Sequence, residues 1–251
     1  MKKNLFLNFS LKNKNFYKIY LYYNLYIRNF KYFIRNTYSQ VDEDIFLKNY
    51  FSKKRGFYVD LGCHHPFRNN NTFLLYKSGW SGLNIDLNKI SIDLFKIMRP
   101  RDINICSAIS NKRGHIKYFV PNKNRVSSEI TVSESFSKDL SKRHKSSYET
   151  FKTKSLTWSD IEKKYKSKLK SVDLLKIDVE GIDFQVLKSI NLFSLKPKLI
   201  MIEAPHFEKS NRKRIINYLK QKKYKIIYDN TLNIIFERSK AKNIRREIVS
   251  L

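Results

Sequence analysis

A chain of 251 residues with 41% hydrophobic and 14% aromatic side chains is too rich in core-forming groups for a disordered protein, and long enough for one well-buried domain with an appendage. The formal charge of +29 raises the question of a polyanionic partner, yet Lys and Arg are scattered among many Asn, Ile, Tyr and Phe, so the charge reads as composition spread over a solvated surface. Two cysteines, Cys63 and Cys106, have no CxxC spacing; they suggest neither a disulfide framework nor a thiolate zinc cage, and they fit a reducing cytoplasm.

Residues 1–38 form a basic, aromatic arm. Lys12, Lys14, Lys18 and Arg28 interrupt every run that could reach the roughly 20 apolar residues needed to span a bilayer, and the basic start lacks a sustained apolar region and a cleavage site. The arm is expected to be an amphipathic helix covering part of the core, with a membrane-surface role as the alternative. Residues 39–238 form the main domain and residues 239–251 a basic tail.

Beyond the arm, short apolar runs alternate with helical segments, the pattern of βαβ units and a largely parallel, doubly wound α/β sheet. Residues 57–61 predict a first buried strand. A helix follows through Thr72 to Tyr76 with Gly79 as its stop, then a strand over residues 82–86 and a helix over 90–98 ended by Pro100. A third strand is expected over residues 103–109 and another over 114–119. Residues 122–147, polar and rich in Ser and Lys, read as a loop or lid. Thr157 with Asp160 resembles a capping box opening a short helix. The continuous apolar run 172–177 is a buried strand, followed by a helix carrying Phe184, Leu187 and Ile190. A strand over 198–204, a helix over 211–221 and a closing antiparallel pair around Asp229-Asn230 complete a seven-stranded sheet.

Asp60 and Asp86 stand at the ends of consecutive strands. Ligands of doubly wound sheets bind outside those ends, and Asp86, 24 residues after Gly62, is placed to accept hydrogen bonds from ribose hydroxyls. Cys63-His64-His65-Pro66 lacks the second and third glycines of a pyrophosphate loop, which disfavours a dinucleotide; S-adenosylmethionine has ribose hydroxyls and no pyrophosphate. Cys63, His64, Leu87, Ser107 and Ala108 complete the expected donor-binding set. At the end of the 172–177 strand, Asp178 and Glu180 lie beside the same cleft, and Glu203 ends the next strand. His65, Asp178 and Glu180 are the candidate bases for an acceptor hydroxyl, and the residues do not choose among them. Neighbouring His64 and His65, without HExxH or CxxC, predict no transition-metal site. Magnesium held by Asp178, Glu180 and substrate hydroxyls is the remaining metal reading.

The chain resembles the FkbM family of methyltransferases. The resemblance covers roughly residues 39–237 and rests on Phe57-Tyr58-Val59-Asp60-Leu61-Gly62-Cys63-His64-His65-Pro66, Asn71-Thr72, Gly79-Trp80-Ser81-Gly82, Ile85-Asp86, Arg99-Pro100-Arg101-Asp102 and Ile177-Asp178-Val179-Glu180-Gly181, in that order. It implies the Rossmann-like class I methyltransferase fold, S-adenosylmethionine as donor, and O-methylation of a sugar, glycan or other hydroxylated small molecule. It also implies donor binding by Asp60, Gly62 and Asp86, with Asp178 in the active cleft. Cys63 departs from the small residue usual after this glycine. Two rival readings are an RNA methyltransferase, for which no RNA-binding module is visible, and a non-catalytic scaffold at the membrane surface.

Overall fold

In the computed structural model, which describes residues 13–52, 55–121, 130–145 and 147–239, ten strands form: β1 (Phe57–Leu61), β2 (Ser81–Asp86), β3 (Ile103–Cys106), β4 (Ala108–Ile109), β5 (Gly114–Pro121), β6 (Tyr148–Leu156), β7 (Leu174–Ile177), β8 (Leu199–Glu203), β9 (Tyr224–Asp229) and β10 (Asn233–Arg238). The helices are α1 (Lys14–Tyr22), continued by a π-helical segment (Tyr23–Arg28), α2 (Phe30–Phe33), α3 (Glu43–Phe51), α4 (Phe73–Lys77), α5 (Lys89–Met98), α6 (Glu134–His144), α7 (Trp158–Tyr165), α8 (Asp183–Ser189), α9 (Leu192–Leu195) and α10 (Lys209–Gln221).

Seven strands pair in the order β3-β2-β1-β7-β8-β10-β9. The first five are parallel, while β10 runs antiparallel to both β8 and β9, so the sheet is mixed, with the expected closing pair. The chain works outward from β1 through β2 to β3 and then returns to β7 on the other side of β1. That reversal makes the carboxyl ends of β1 and β7 a crevice where ligands of open α/β sheets bind.

Both faces of the sheet are buried, which is why its strands read as continuous apolar runs. Val59, Leu61, Leu175, Ile177, Ile200 and Ile202 join one core with Trp158 and Ile161 of α7, Val186 of α8, and Ile215 and Leu219 of α10. Tyr58, Leu174, Leu199 and Met201 join the other, with Leu47 of α3, Leu74 of α4, Leu94 of α5 and the arm residues Tyr20, Leu21 and Leu25. Each such side chain, taken fully from water, contributes about 1.5–3 kcal/mol before cavity effects. The described part of the arm is thus helical from Lys14 to Phe33 and packed against the domain. Asn13 caps α1 by accepting from the Asn15 N–H, and the Tyr17 hydroxyl donates to Asp93 at 2.9 Å.

The expected strand over residues 103–109 is two strands. Cys106 still pairs with Asp86 in the main sheet, but the Ser107 N–H turns to the Asp86 carbonyl and the chain leaves to build a second sheet, ordered β4-β6-β5. That sheet is not anticipated from sequence, because β6 is largely exposed and polar. Within the expected loop over residues 122–147, residues 134–144 are helical, so the lid is partly a helix; residues 122–129 and 146 lie outside the described residues. The Thr157–Asp160 capping box forms as expected.

Candidate functional site

Gly62 follows β1 with φ +78°, and a Cβ on it would stand 1.6 Å from the carbonyl oxygen of Asp178. Only glycine lets the turn after β1 lie against the turn after β7 in this way. Beneath both turns the Lys176 ammonium stands 3.1 Å from Asp60 Oδ1 and 3.2 Å from Asp178 Oδ2, and it donates to the Gly62 carbonyl at 3.2 Å. Burial works against the charged lysine, but the two carboxylates outweigh it and hold Lys176 protonated, its pKa raised above the ordinary value. Lys176 goes unnoticed in the sequence, where it is one residue in an apolar run.

Above these turns lies a cleft of about 600 Å³, within the usual range for small-molecule sites. Gly62, His64, Asp86 and Leu87 line the cleft together with Ser107, Ala108 and Ile109 from beyond β3. Asp178, Glu180 and Glu203 line the acidic side, and Ile130, Val132 and Leu140 from the insertion cover it. The insertion is tied down where the Thr131 hydroxyl donates to the Glu180 carbonyl and Thr131 bridges Phe119 of β5. Asn69 and Asn71 also line the cleft; Asn71 belongs to the Asn71-Thr72 motif of the resemblance, though neither is in the expected site set.

Asp86 is presented by its own backbone surroundings. The His64 N–H donates to Oδ2 at 2.8 Å and the Asn88 N–H to Oδ1 at 2.7 Å, leaving each oxygen a further lone pair. Burial raises its pKa to about 6, opposed by those two N–H groups. Arg68 Nη2 reaches His64 Nε2 at 3.2 Å; a guanidinium only donates, so this nitrogen accepts and the imidazole carries its proton on Nδ1. Burial, and then Arg68, keep His64 neutral with a pKa near 3.

Three expected site residues face elsewhere. Asp60 is fully buried and spends its carboxylate on Lys176 and on the Thr72 hydroxyl at 2.9 Å, so it shapes the turn from below the cleft. The Cys63 side chain packs with Ile92 and Phe95. His65 is fully buried beneath the arm: its Nδ1 accepts from the Arg68 N–H at 3.1 Å and its Nε2 faces Asn24 Oδ1 at 3.2 Å. Neither ring nitrogen reaches the cleft, which leaves this histidine a strut between the arm and the turn after β1 rather than a base.

The remaining motif residues support the turn. Arg99, fully buried, donates to the Pro66 carbonyl, to Asn70 Oδ1 at 2.6 Å and to the Thr72 hydroxyl at 2.9 Å, fixing residues 62–72. Asp102 accepts from the Gly82 N–H at 2.8 Å, from Asn84 and from the Tyr58 hydroxyl.

On the acidic side, one oxygen each of Asp178, Asp183 and Glu203 lies within 4.8 Å of the others. Asp183 accepts from the Val179 and Gly181 N–H groups at 2.7 and 3.2 Å at the start of α8; burial, and then the charge of Asp178, raise it to about 6. Glu203 is pushed well above the ordinary carboxylate range by burial first and then by Asp178, Glu180 and Asp183. The expected magnesium pair is Asp178 and Glu180; the carboxylates grouped with Asp178 are instead Asp183 and Glu203.

Residues 60–226 match the family described as the methyltransferase FkbM domain. No curated protein matches the chain.

Proposed function

Because the chain belongs to the FkbM methyltransferase family, we propose that it uses S-adenosylmethionine to methylate a hydroxyl oxygen of a sugar, glycan or related small molecule. The observation that carries the donor is Asp86. Its carboxylate is held by two backbone N–H groups at the rim of the cleft with lone pairs to spare, which suits the two hydroxyls of a ribose. Leu87, Ser107 and Ala108 would flank the adenine, and the Gly62 turn would pass beneath the methionine portion, with the Lys176 ion pairs fixing that turn. When bound, S-adenosylmethionine supplies an activated methyl group on sulfur.

The chain's own residues must align the acceptor oxygen and remove its proton. Alignment supplies much of the acceleration in such transfers, and the cover formed by Ile130, Val132 and Leu140 keeps water from the acceptor side. Glu203 is the favoured base. Among the described residues it makes no ion pair within 4 Å, and burial with the neighbouring carboxylates raises its affinity for a proton above that of an ordinary carboxylate. Asp178 has one oxygen on Lys176, and Glu180 sits in the turn with φ 56°. The proposed reaction uses no magnesium ion, because the Lys176 ammonium already supplies positive charge beside Asp178. Two unpaired cysteines, one buried and one exposed, support action in the cytoplasm.

Calorimetric titration with S-adenosylhomocysteine tests the donor site. Saturable binding that Asp86→Ala weakens by about tenfold or more supports it. A folded wild-type chain that binds nothing would abandon the reaction and leave the scaffold reading.

A further inference from the structure

The proposed reaction makes no use of the outer side of the arm. On its inner side Tyr20, Leu21, Asn24 and Leu25 are buried against the domain. On its outer side Ile19, Tyr22, Tyr26, Phe30 and Ile34 recur at intervals of three or four residues, with Ile27 beside them, and all are exposed, Ile27 at 68% and Ile34 at 74%. A helix face of this kind, left in water, marks an interaction surface. The helix cannot roll to hide it, because the inner face is pinned: the Asn29 amide donates to Asn24, the His65 ring contacts Asn24, and Arg68 reaches Asn29.

Charge decides the partner. The first forty residues contain eight Lys and Arg and no Asp or Glu. Lys14, Lys18, Arg28, Lys31 and Arg35 are exposed around the apolar stripe. A second copy of the chain would bring these cations against their equivalents, with no acid on the arm to neutralise them. A bilayer with anionic headgroups offers both complements: phosphate and carboxylate charge for the cations, and the acyl boundary for isoleucine and phenylalanine, with tyrosines at the depth that amphipathic rings prefer. No described helix is long and apolar enough to cross a membrane, so the contact is one of lying on the surface.

We infer that the outer face of α1, the π-helical segment and α2 docks this protein on an anionic lipid bilayer. The claim does not depend on methyl transfer and is tested without it. The full chain is sedimented with vesicles of phosphatidylcholine containing phosphatidylserine, and separately with phosphatidylcholine alone, at roughly physiological ionic strength. Tight binding to the first and weak binding to the second is expected. Since a surface of +29 attracts anionic vesicles by itself, the deciding variant keeps the charge: Ile27→Asn, Phe30→Asn and Ile34→Asn together. These side chains are exposed, so folding and S-adenosylhomocysteine binding should persist while vesicle affinity falls by about tenfold or more. The single Ile34→Asn, at the end of the arm, should give a smaller loss in the same direction. Undiminished vesicle affinity in the triple variant would overturn the inference, as would absent binding by the unaltered chain or a dimer at equilibrium sedimentation that the triple variant abolishes.

Discussion

Lys176 and Asp60 form an ion pair 3.1 Å apart, both side chains sealed from solvent, directly beneath the turn that bounds the cleft. Removing one partner of a buried pair leaves the other charge unpaired at a cost of about 3–5 kcal/mol. Lys176→Met should therefore lower the unfolding free energy measured by urea titration by that much, because Asp60 would keep only the Thr72 hydroxyl. Adding Asp60→Asn should recover a large part of the loss. A single variant within about 1 kcal/mol of wild type would mean the pair is not the anchor of the turn.

Gly62→Ala should be far costlier than Gly79→Ala, although both glycines have positive φ. At Gly79 the nearest atom to an added methyl is an Arg55 side-chain atom at 3.5 Å, leaving a backbone penalty of about 1–2 kcal/mol. At Gly62 the methyl would overlap the Asp178 carbonyl, and overpacking of a fixed backbone adds about 3 kcal/mol or more. Thermal unfolding of the two variants side by side measures the difference; equal shifts would show that the two turns can separate freely.

The strands β1, β2, β7 and β8 were legible because strands buried on both faces write themselves as unbroken apolar runs, and the places of Asp86 and Gly62 in the cleft lining were legible because clefts of such sheets open at strand ends. Direction was not legible. Asp60, Cys63 and His65 share the same segment as Gly62 and His64, yet whether a side chain rises into the cleft or drops into the core depends on partners more than 10 residues away, such as Lys176, Phe95 and Asn24. Lys176 itself makes sense only once Asp60 and Asp178 are beside it. The helix over residues 134–144 did leave a signal, in the i,i+4 pairs Glu134–Lys138 and Asp139–Arg143, which a reading for apolar periodicity passes over.

Donor affinity should depend on pH through Asp86. Burial makes its folded carboxyl hold a proton up to about pH 6, above the ordinary range, so the unfolded chain releases that proton first as pH rises. The sign follows: this group's contribution to stability falls as pH climbs from the ordinary carboxylate range to about 6, and is constant above it. A protonated Asp86 loses acceptor capacity for a ribose, so S-adenosylhomocysteine affinity should drop as pH falls below about 6 and be level above it. The same drop in Asp86→Asn would assign the titration to another group.

Methyl transfer should survive a chelator. The Lys176 ammonium already sets a fixed positive charge against Asp178, which opposes a second cation at this acidic end. Once an acceptor is in hand, activity within about twofold of the control in excess EDTA is expected; a loss that magnesium restores would make the acidic end a cation site.

Glu203→Gln should separate catalysis from donor binding. The glutamine keeps the size of the side chain at the end of β8 but cannot take a proton, and loss of a general base costs about 10²–10⁴ in kcat. S-adenosylhomocysteine affinity should stay within about twofold, since the donor's ribose is assigned to Asp86 across the cleft. In the wild type kcat should rise with pH as Glu203 loses its proton, since burial and the carboxylates of Asp178, Glu180 and Asp183 hold that proton above the ordinary range. The variant's residual activity should lack this limb. Asp178→Asn supplies the contrast: it frees one side of Lys176 and disturbs the Gly62 turn, so it should weaken donor binding as well as turnover. Wild-type kcat in Glu203→Gln, together with an unchanged pH profile, would remove Glu203 as the base and return the role to Asp178 or Glu180.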